Sequence, residues 1–200
     1  MYQLKKITAM STDMRYIFIL LLIAFVSACQ PPEEEQAQQM QRQLELQREA
    51  ADDLPFNFKT DLDSLLTDYF ALKNALVESD STAGVEYGEQ LQEQASAVRT
   101  ARVDPDNEGL WMGISQILDR ETENLINTSD IEEQRLHFEP ISEAMIQVVE
   151  SFHPVGYTIY HQSCPMVRGG SADWLSREEQ IANPYHGDRM LRCGETIKQI

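Results

Sequence analysis

Between residues 56 and 153 the hydrophobic positions recur at steps of three and four, which is the spacing of amphipathic α-helices. Four such stripes follow one another, and they predict helices over about residues 60–78 and 81–101, a third that begins at Pro105 and a fourth that begins at Ser129. Helices of this length joined by short connections favour an antiparallel four-helix bundle. The stripes consist of Leu62, Leu65, Tyr69, Leu72 and Leu76; Tyr87, Leu91, Ala95 and Val98; Trp111, Ile114, Leu118 and Leu125; and Ile131, Phe138, Ile141, Met145, Val148 and Phe152.

Local residues at two of the helix starts support this division. Asp104 is suited to accept hydrogen bonds from the exposed N–H groups of a first turn, and Pro105 suits the first helical position. Ser129, with Glu132 three residues later, has the pattern of a capping box. We therefore expect a mainly α-helical domain whose bundle occupies residues 56–153.

Three residues weaken or interrupt the predicted helices. Gly84 and Gly88 lie inside the second helix, where each glycine costs about 1 kcal/mol relative to alanine. Pro140 lies inside the fourth helix and has no N–H for an intrahelical hydrogen bond. A kink or a break is therefore expected near residues 138–139.

Beyond the fourth stripe the helical pattern stops, and residues 154–200 are expected to form a short irregular or β cap. The first residues of this stretch are rich in β-forming types. Ser176 and Glu179 form another capping box, which predicts a short helix that Asn183 and Pro184 end. The cap is expected to pack on the bundle as part of the same domain.

The start of the chain has the pattern of a bacterial lipoprotein signal. Basic residues precede an apolar run over residues 16–26, which is too short to span a bilayer comfortably. The run ends in Val-Ser-Ala-Cys at residues 26–29, which resembles a lipobox. We expect cleavage of residues 1–28 as a signal peptide and a lipid anchor on Cys29. The alternative is an ordinary N-terminal membrane anchor with an incidental cysteine.

The mature chain is strongly acidic. Residues 29–55 form an acidic tether rich in Gln and Glu, with few apolar residues to bury. Removal of the signal leaves 13 basic and 32 acidic residues, a formal charge of −19. Such a surface repels nucleic-acid phosphates and anionic headgroups, which excludes nucleic acid as a partner and leaves the lipid anchor as the contact with the membrane.

Common catalytic signatures are absent from the sequence. It contains no Gly-x-Ser-x-Gly, no His-Glu-x-x-His, no phosphate-binding Gly-Lys-Ser/Thr loop and no dinucleotide-binding Gly-x-Gly-x-x-Gly. We therefore expect that the protein is not an enzyme.

The candidate chemistry lies in the cap, which carries soft donors on two short arms. Thiolates and thioethers prefer Cu(I) or Ag(I) to Mg²⁺ or Ca²⁺. In an extended Cys164-Pro165-Met166 segment the two sulfur side chains point to the same side, and the second arm reaches them if the loop folds back. The predicted metal ligands are Cys164, Met166, Met190 and Cys193, with His161 and His186 assisting.

A structural disulfide between Cys164 and Cys193 is the alternative, because a cysteine pair outside the cytoplasm forms either a disulfide or a metal site. Closing this loop would stabilise the fold by about 3.6 kcal/mol in the chain-entropy model. On the residues alone both interpretations remain open.

Several segments resemble a bacterial domain family of unknown function. They comprise residues 69–77, residues 135–142, Cys164-Pro165-Met166, residues 174–176, Asn183-Pro184-Tyr185-x-Gly187 and Met190-Leu191-x-Cys193-Gly194. Members of that family occur as lipoproteins and fused to periplasmic adaptor subunits of copper and silver efflux systems. The resemblance implies a helical bundle with a Cys-bearing cap and an association with metal efflux.

Two functions follow as hypotheses. The first is a lipoprotein of the bacterial cell envelope that binds a soft metal ion such as Cu(I) and is linked to metal efflux or homeostasis, with an efflux adaptor or another envelope protein as partner. Gln30 stands where some inner-membrane lipoproteins have Asp, which favours the outer membrane. The second is a non-catalytic interaction module whose Cys164–Cys193 disulfide is only structural.

Overall fold

The structure, a computed structural model, describes residues 33–167 and 170–200. The predicted signal peptide and Cys29 lie outside these residues. The chain divides into two units, residues 1–46 and 47–200. Helix α1, Glu33–Asp52, takes up most of the predicted tether and exposes its side chains over residues 35–43. Within the described part of the chain, no helix is long and apolar enough to cross a membrane.

The second unit is mainly helical, as the sequence predicts. Its helices are α2 (Phe56–Glu78), α3 (Ser81–Ala97), α4 (Pro105–Ile126) and α5 (Ile131–Phe152). Each helix packs against the next one along the chain, and α2 also packs against α5. The core lies between them, where the Phe58 ring meets the rings of Trp111 and Phe152 edge to face.

The helix starts agree with the sequence at one of the two predicted caps. The Asp104 carboxylate accepts a hydrogen bond of 3.1 Å from the N–H of Asn107, and Pro105 opens α4. The prediction for Ser129 was wrong by one residue, because Asp130 caps α5 and accepts from the N–H of Glu132 at 2.8 Å. An Asp carboxylate is a strong cap, and here it displaces the neighbouring hydroxyl.

The residues expected to weaken the helices behave differently in the structure. Helix α5 continues through Pro140 without a break. Gly84 and Gly88 are buried contacts of α3 with its neighbours. A Cβ on Gly84 would lie 2.5 Å from Gln134 Oε1. These glycines therefore allow close helix packing, in return for their cost in helix propensity.

The cap contains a small antiparallel sheet with the order β2-β1-β3. Its strands are β1 (Tyr160–Val167), β2 (Gly170–Ser176) and β3 (Glu195–Gln199). We call residues 177–194, between β2 and β3, the cap loop; it contains a single 3₁₀ turn at Gly187–Arg189. The short helix predicted from Ser176 is wrong, because the Ser176 hydroxyl accepts the N–H of Glu178 in a bend.

Two buried polar side chains fasten the cap to the helices. The hydroxyl of Tyr69 on α2 lies 2.9 Å from Ser142 Oγ on α5 and accepts the backbone N–H of Leu175 on β2. Arg135 on α5 is 2 % exposed and donates to the carbonyl oxygens of Leu76, at the end of α2, and Pro184, in the cap loop. The position of the cap loop is therefore tied to the helices.

Candidate functional site

The two cysteines of the second unit lie side by side. Cys164 is on β1, the central strand of the sheet, and is fully buried; Cys193 is near the end of the cap loop and is partly exposed. Their Sγ atoms are 3.2 Å apart, and both are free thiols in this structure. The folding back of the second arm that the sequence analysis required is therefore present at these two residues.

The electrostatics of the pair follow from this contact. The hydrogen bond with the Cys164 thiol raises the pKa of Cys193, and desolvation adds to the increase. A raised pKa favours the protonated thiol of Cys193 at neutral pH, so binding of a soft ion there would release a proton. The affinity of such a site for a metal should consequently rise with pH.

The two methionines differ in their exposure and in how they are linked to the cysteine pair. Met166 is 54 % exposed although Cys164 is buried, because the pairing of β1 with β2 shifts register between Cys164 and Val167. This bulge breaks the alternation on which the prediction of a shared side depended. Met190 is half-buried, and its carbonyl accepts the N–H of Cys193 at 2.9 Å, which places it one tight turn from that cysteine.

The two histidines differ in their surroundings. His186 Nε2 donates to the carbonyl oxygen of Met166 at 3.1 Å, so this part of the cap loop lies against the end of β1. His161 is largely buried and donates from Nε2 to Asp173 Oδ2 at 2.8 Å. Its Nδ1 lies 3.9 Å from Glu150 Oε1, which is too far for a hydrogen bond, and this buried nitrogen has no hydrogen-bond partner among the residues that the structure describes. Asp173 therefore orients the His161 ring and leaves its Nδ1 unpaired in the described part of the chain, while His186 lies against the backbone of Met166.

The donors that could bind a metal ion directly in this region are the sulfur side chains. Across residues 33–167 and 170–200, no group of three or more His, Cys, Asp and Glu side chains is placed to hold a metal ion. Any site here would depend on the two thiols, with thioethers completing it. Such a set is suited to a soft monovalent ion and poorly suited to a hard divalent one.

Two residues outside the predicted ligand set hold the cap loop in place. Asn183 is fully buried and donates from Nδ2 to the carbonyl oxygen of Cys193 at 2.9 Å. Tyr185 is also buried, and its hydroxyl donates to the carbonyl oxygen of Asp173 at 2.6 Å. Burial also raises the pKa of Tyr185 well above its ordinary value. The signal for these residues in the sequence was the Asn-Pro-Tyr motif, whose bonds to Cys193 and Asp173 join residues ten or more positions apart.

A comparison with protein families identifies part of the chain. Residues 65–156 match the family model described as "Protein of unknown function (DUF3347)". The chain is similar to this family of unknown function. The match covers somewhat under half of the chain, takes in most of α2 to α5, and ends before β1 and both cysteines of the site. No curated protein and no solved structure matches the chain.

Proposed function

We propose that the protein is a lipoprotein of the bacterial envelope that binds one soft monovalent ion, such as Cu(I) or Ag(I), through Cys164 and Cys193. The observation that carries this proposal is the 3.2 Å contact between the two Sγ atoms, which join a strand to a loop across 29 positions of sequence. Two thiols held this close can act as a single chelating unit once they lose their protons.

The surroundings of the pair support a sulfur-rich site. Met190 lies one turn before Cys193, and His186 lies against the backbone of Met166. Both thioethers are therefore candidates to complete the site, Met190 from the turn before Cys193 and Met166 if its exposed side chain reorients, with His186 assisting. His161 keeps an assisting role as well, because its hydrogen bond to Asp173 orients the ring and leaves the buried Nδ1 without a hydrogen-bond partner across residues 33–167 and 170–200.

The setting of the site completes the proposal. Lipidation of Cys29 would hold the acidic chain at the envelope, most simply at the outer membrane, with a metal-efflux adaptor or another envelope protein as partner. The helices would form an antiparallel four-helix bundle, which the packing of each helix on the next and of α2 on α5 supports. The protein would bind the metal without acting as an enzyme.

A second candidate rests on the burial of Cys164. Because this residue is fully buried on the central strand and Cys193 lies two residues before β3, a disulfide would tie the cap loop to the sheet. In that case the protein is a non-catalytic interaction module and its cysteines are only structural. The two candidates require opposite states of the same pair, thiolates in one and an oxidised pair in the other.

The deciding experiment is an anaerobic competition titration of the reduced, full-length protein against a Cu(I) chelator, combined with native mass spectrometry. We expect one equivalent of Cu(I), lost in the Cys164→Ser/Cys193→Ser double variant. Met166→Leu should weaken binding, whereas Met112→Leu is a matched control because Met112 on α4 is 55 % exposed and Met166 is 54 % exposed.

Two results would contradict the metal proposal. One is a reduced protein that cannot compete with a weak chelator. The other is a protein whose cysteines are quantitatively oxidised when it is isolated from the envelope and resist mild reductant, which would favour the structural disulfide. The metal must be kept as Cu(I), because the acidic surface collects Cu(II) nonspecifically.

A further inference from the structure

Asn183 holds both ends of the backbone segment Leu191-Arg192-Cys193. Its N–H donates to the carbonyl oxygen of Leu191 at 3.0 Å, and its side-chain Nδ2 donates to the carbonyl oxygen of Cys193 at 2.9 Å. Its Oδ1 accepts the N–H of Tyr185 at 2.8 Å, which fixes the orientation of the amide. The side chain is fully buried, so water does not compete for these bonds.

The segment that carries Asn183 is itself fixed to the helices. Arg135 Nε donates to the carbonyl oxygen of Pro184 at 2.8 Å, and Arg135 Nη2 donates to the carbonyl oxygen of Leu76 at 2.8 Å. Gly187 has a φ of +52°, and a Cβ there would lie 2.5 Å from Arg135 Nη2. The loop therefore packs closely on α5, and this packing fixes the backbone that carries Asn183.

The opposite sulfur is held independently of Asn183. Cys164 lies on β1, which pairs with β2 on one side and with β3 on the other. Its partner in the ladder is Ala172 on β2. The position of Cys193 relative to Cys164 consequently depends on what holds the cap loop, and the Asn183 side chain bonds to the backbone of Cys193.

We propose that Asn183 is a positioning residue that sets the approach of Cys193 Sγ to Cys164 Sγ and so determines how readily the pair acts as one chelating or disulfide-forming unit. This inference rests on the proposed function only where its test measures Cu(I) binding. It also holds for the pair as a thiol–disulfide couple, which can be measured without any metal.

The test is the equilibrium of the full-length protein with reduced and oxidised glutathione. Two protein thiols and one glutathione disulfide give one Cys164–Cys193 disulfide and two glutathione thiols, so atoms and electrons balance. The fraction oxidised is measured at the peptide level by mass spectrometry after alkylation, which keeps Cys29 out of the result. Asn183→Asp loses the donor to Cys193 and keeps the acceptor for Tyr185. Asn183→Ser, a second variant, is too short to reach the carbonyl of Cys193 and places no charge in the core.

We expect the equilibrium constant for disulfide formation to fall about fivefold or more in both variants, which is the effect of one net hydrogen bond. Gln134→Glu is the matched control, because Gln134 is also fully buried and its Nε2 donates to the carbonyl oxygens of Ser81 and Thr128, away from the cap. The control should lower the melting temperature and leave the equilibrium constant within twofold of the wild-type value.

The inference is overturned if the Asn183 variants keep the wild-type equilibrium constant, or if Gln134→Glu changes it as much as they do. The metal readout separates this inference from the proposed function. If the wild-type protein fails to bind Cu(I) while the glutathione equilibrium shifts in the Asn183 variants, the proposed function fails and the positioning role stands. If the wild-type protein binds Cu(I) and neither readout changes in these variants, the positioning role alone fails.

Discussion

The backbone N–H of Leu175 donates a 3.0 Å hydrogen bond to the hydroxyl oxygen of Tyr69. This bond runs from β2 to α2 across 106 positions of sequence, and both groups are buried. The same hydroxyl lies 2.9 Å from Ser142 Oγ on α5. One phenol oxygen therefore joins two helices and the sheet, and it does so where water cannot replace a lost partner.

Tyr69→Phe should lower the free energy of unfolding by about 1–3 kcal/mol, because it leaves the N–H of Leu175 buried without its acceptor. Urea denaturation followed by circular dichroism measures the difference. Tyr87→Phe is the control, since Tyr87 is half-buried on α3, and its change should stay within about 0.5 kcal/mol. Equal midpoints for the wild type and Tyr69→Phe would show that this bond contributes nothing to stability.

Two glycines in helices should respond to alanine with opposite signs. Gly84→Ala should destabilise the protein, because the added Cβ would meet Gln134 Oε1 at 2.5 Å and the Gln134 side chain is held by its own hydrogen bonds. Gly113→Ala should stabilise it by about 0.5–1 kcal/mol, because nothing lies within 4 Å of that Cβ in the middle of α4. Thermal melting of both variants tests the pair, and a shift of the same sign in both would contradict the packing described for α3.

Lys73 should make stability depend on pH in the alkaline range. Burial on α2 lowers the pKa of Lys73 to about 8, and the charge of Glu178 opposes this only in part. Between that value and the ordinary pKa near 10.5, the unfolded chain binds more protons than the folded one, so this residue makes stability rise with pH. Lys73→Met should therefore be more stable than the wild type at pH 7, with an advantage that shrinks as the pH approaches 10.5. Urea midpoints of both proteins across this range give the difference, and a constant difference would contradict the expectation.

Cys29→Ser should abolish the lipid anchor that the lipobox predicts. The variant is expected to remain uncleaved or to become soluble, and to lose labelling with a fatty-acid analogue. Fractionation of cells into membrane and soluble pools measures the change. Cys193→Ser is the matched control, since it removes a thiol from the chain and should leave membrane association unchanged. Processing and membrane association of Cys29→Ser like those of the wild type would reject the lipoprotein hypothesis.

The helices could be predicted from the sequence because their determinants lie within a few residues of one another. Asp104 and Pro105 correctly predicted the start of α4, and the bond from the N–H of Asn107 to Asp104 spans only three residues. Strand β2 has no such local determinant. Ser176 and Glu179 have a helix-start pattern, yet the pairing of Ser176 with Tyr160 places that residue in a strand. Strand pairing with Tyr160, 16 positions away, outweighs the preference of the Ser176 hydroxyl to cap a helix, because a bend satisfies that hydroxyl equally well.

The candidate site was predictable in its chemistry and only partly in its geometry. Cys164 and Cys193 do meet, as the soft-donor pattern suggested. The exposure of Met166 depends on a bulge, and the engagement of His161 depends on Asp173 across the β1–β2 hairpin. A register shift moves a side chain to the other face of a strand without any change in composition. The sequence pattern therefore could not assign either residue to one side of the sheet.

The buried Arg135 affects how the protein unfolds. Its guanidinium is almost fully buried and donates to the end of α2, to Glu132 on its own helix and to the cap loop. If the loop alone detached, the guanidinium would lose the carbonyl oxygen of Pro184 and the cover of Gly187, which is costly for a charge that the fold has taken out of water. Local opening of the loop is therefore discouraged, and the cap should melt together with the helices in a single cooperative transition. The contact between Cys193 and Cys164 is in this way protected from local opening of the cap loop by the stability of the whole second unit.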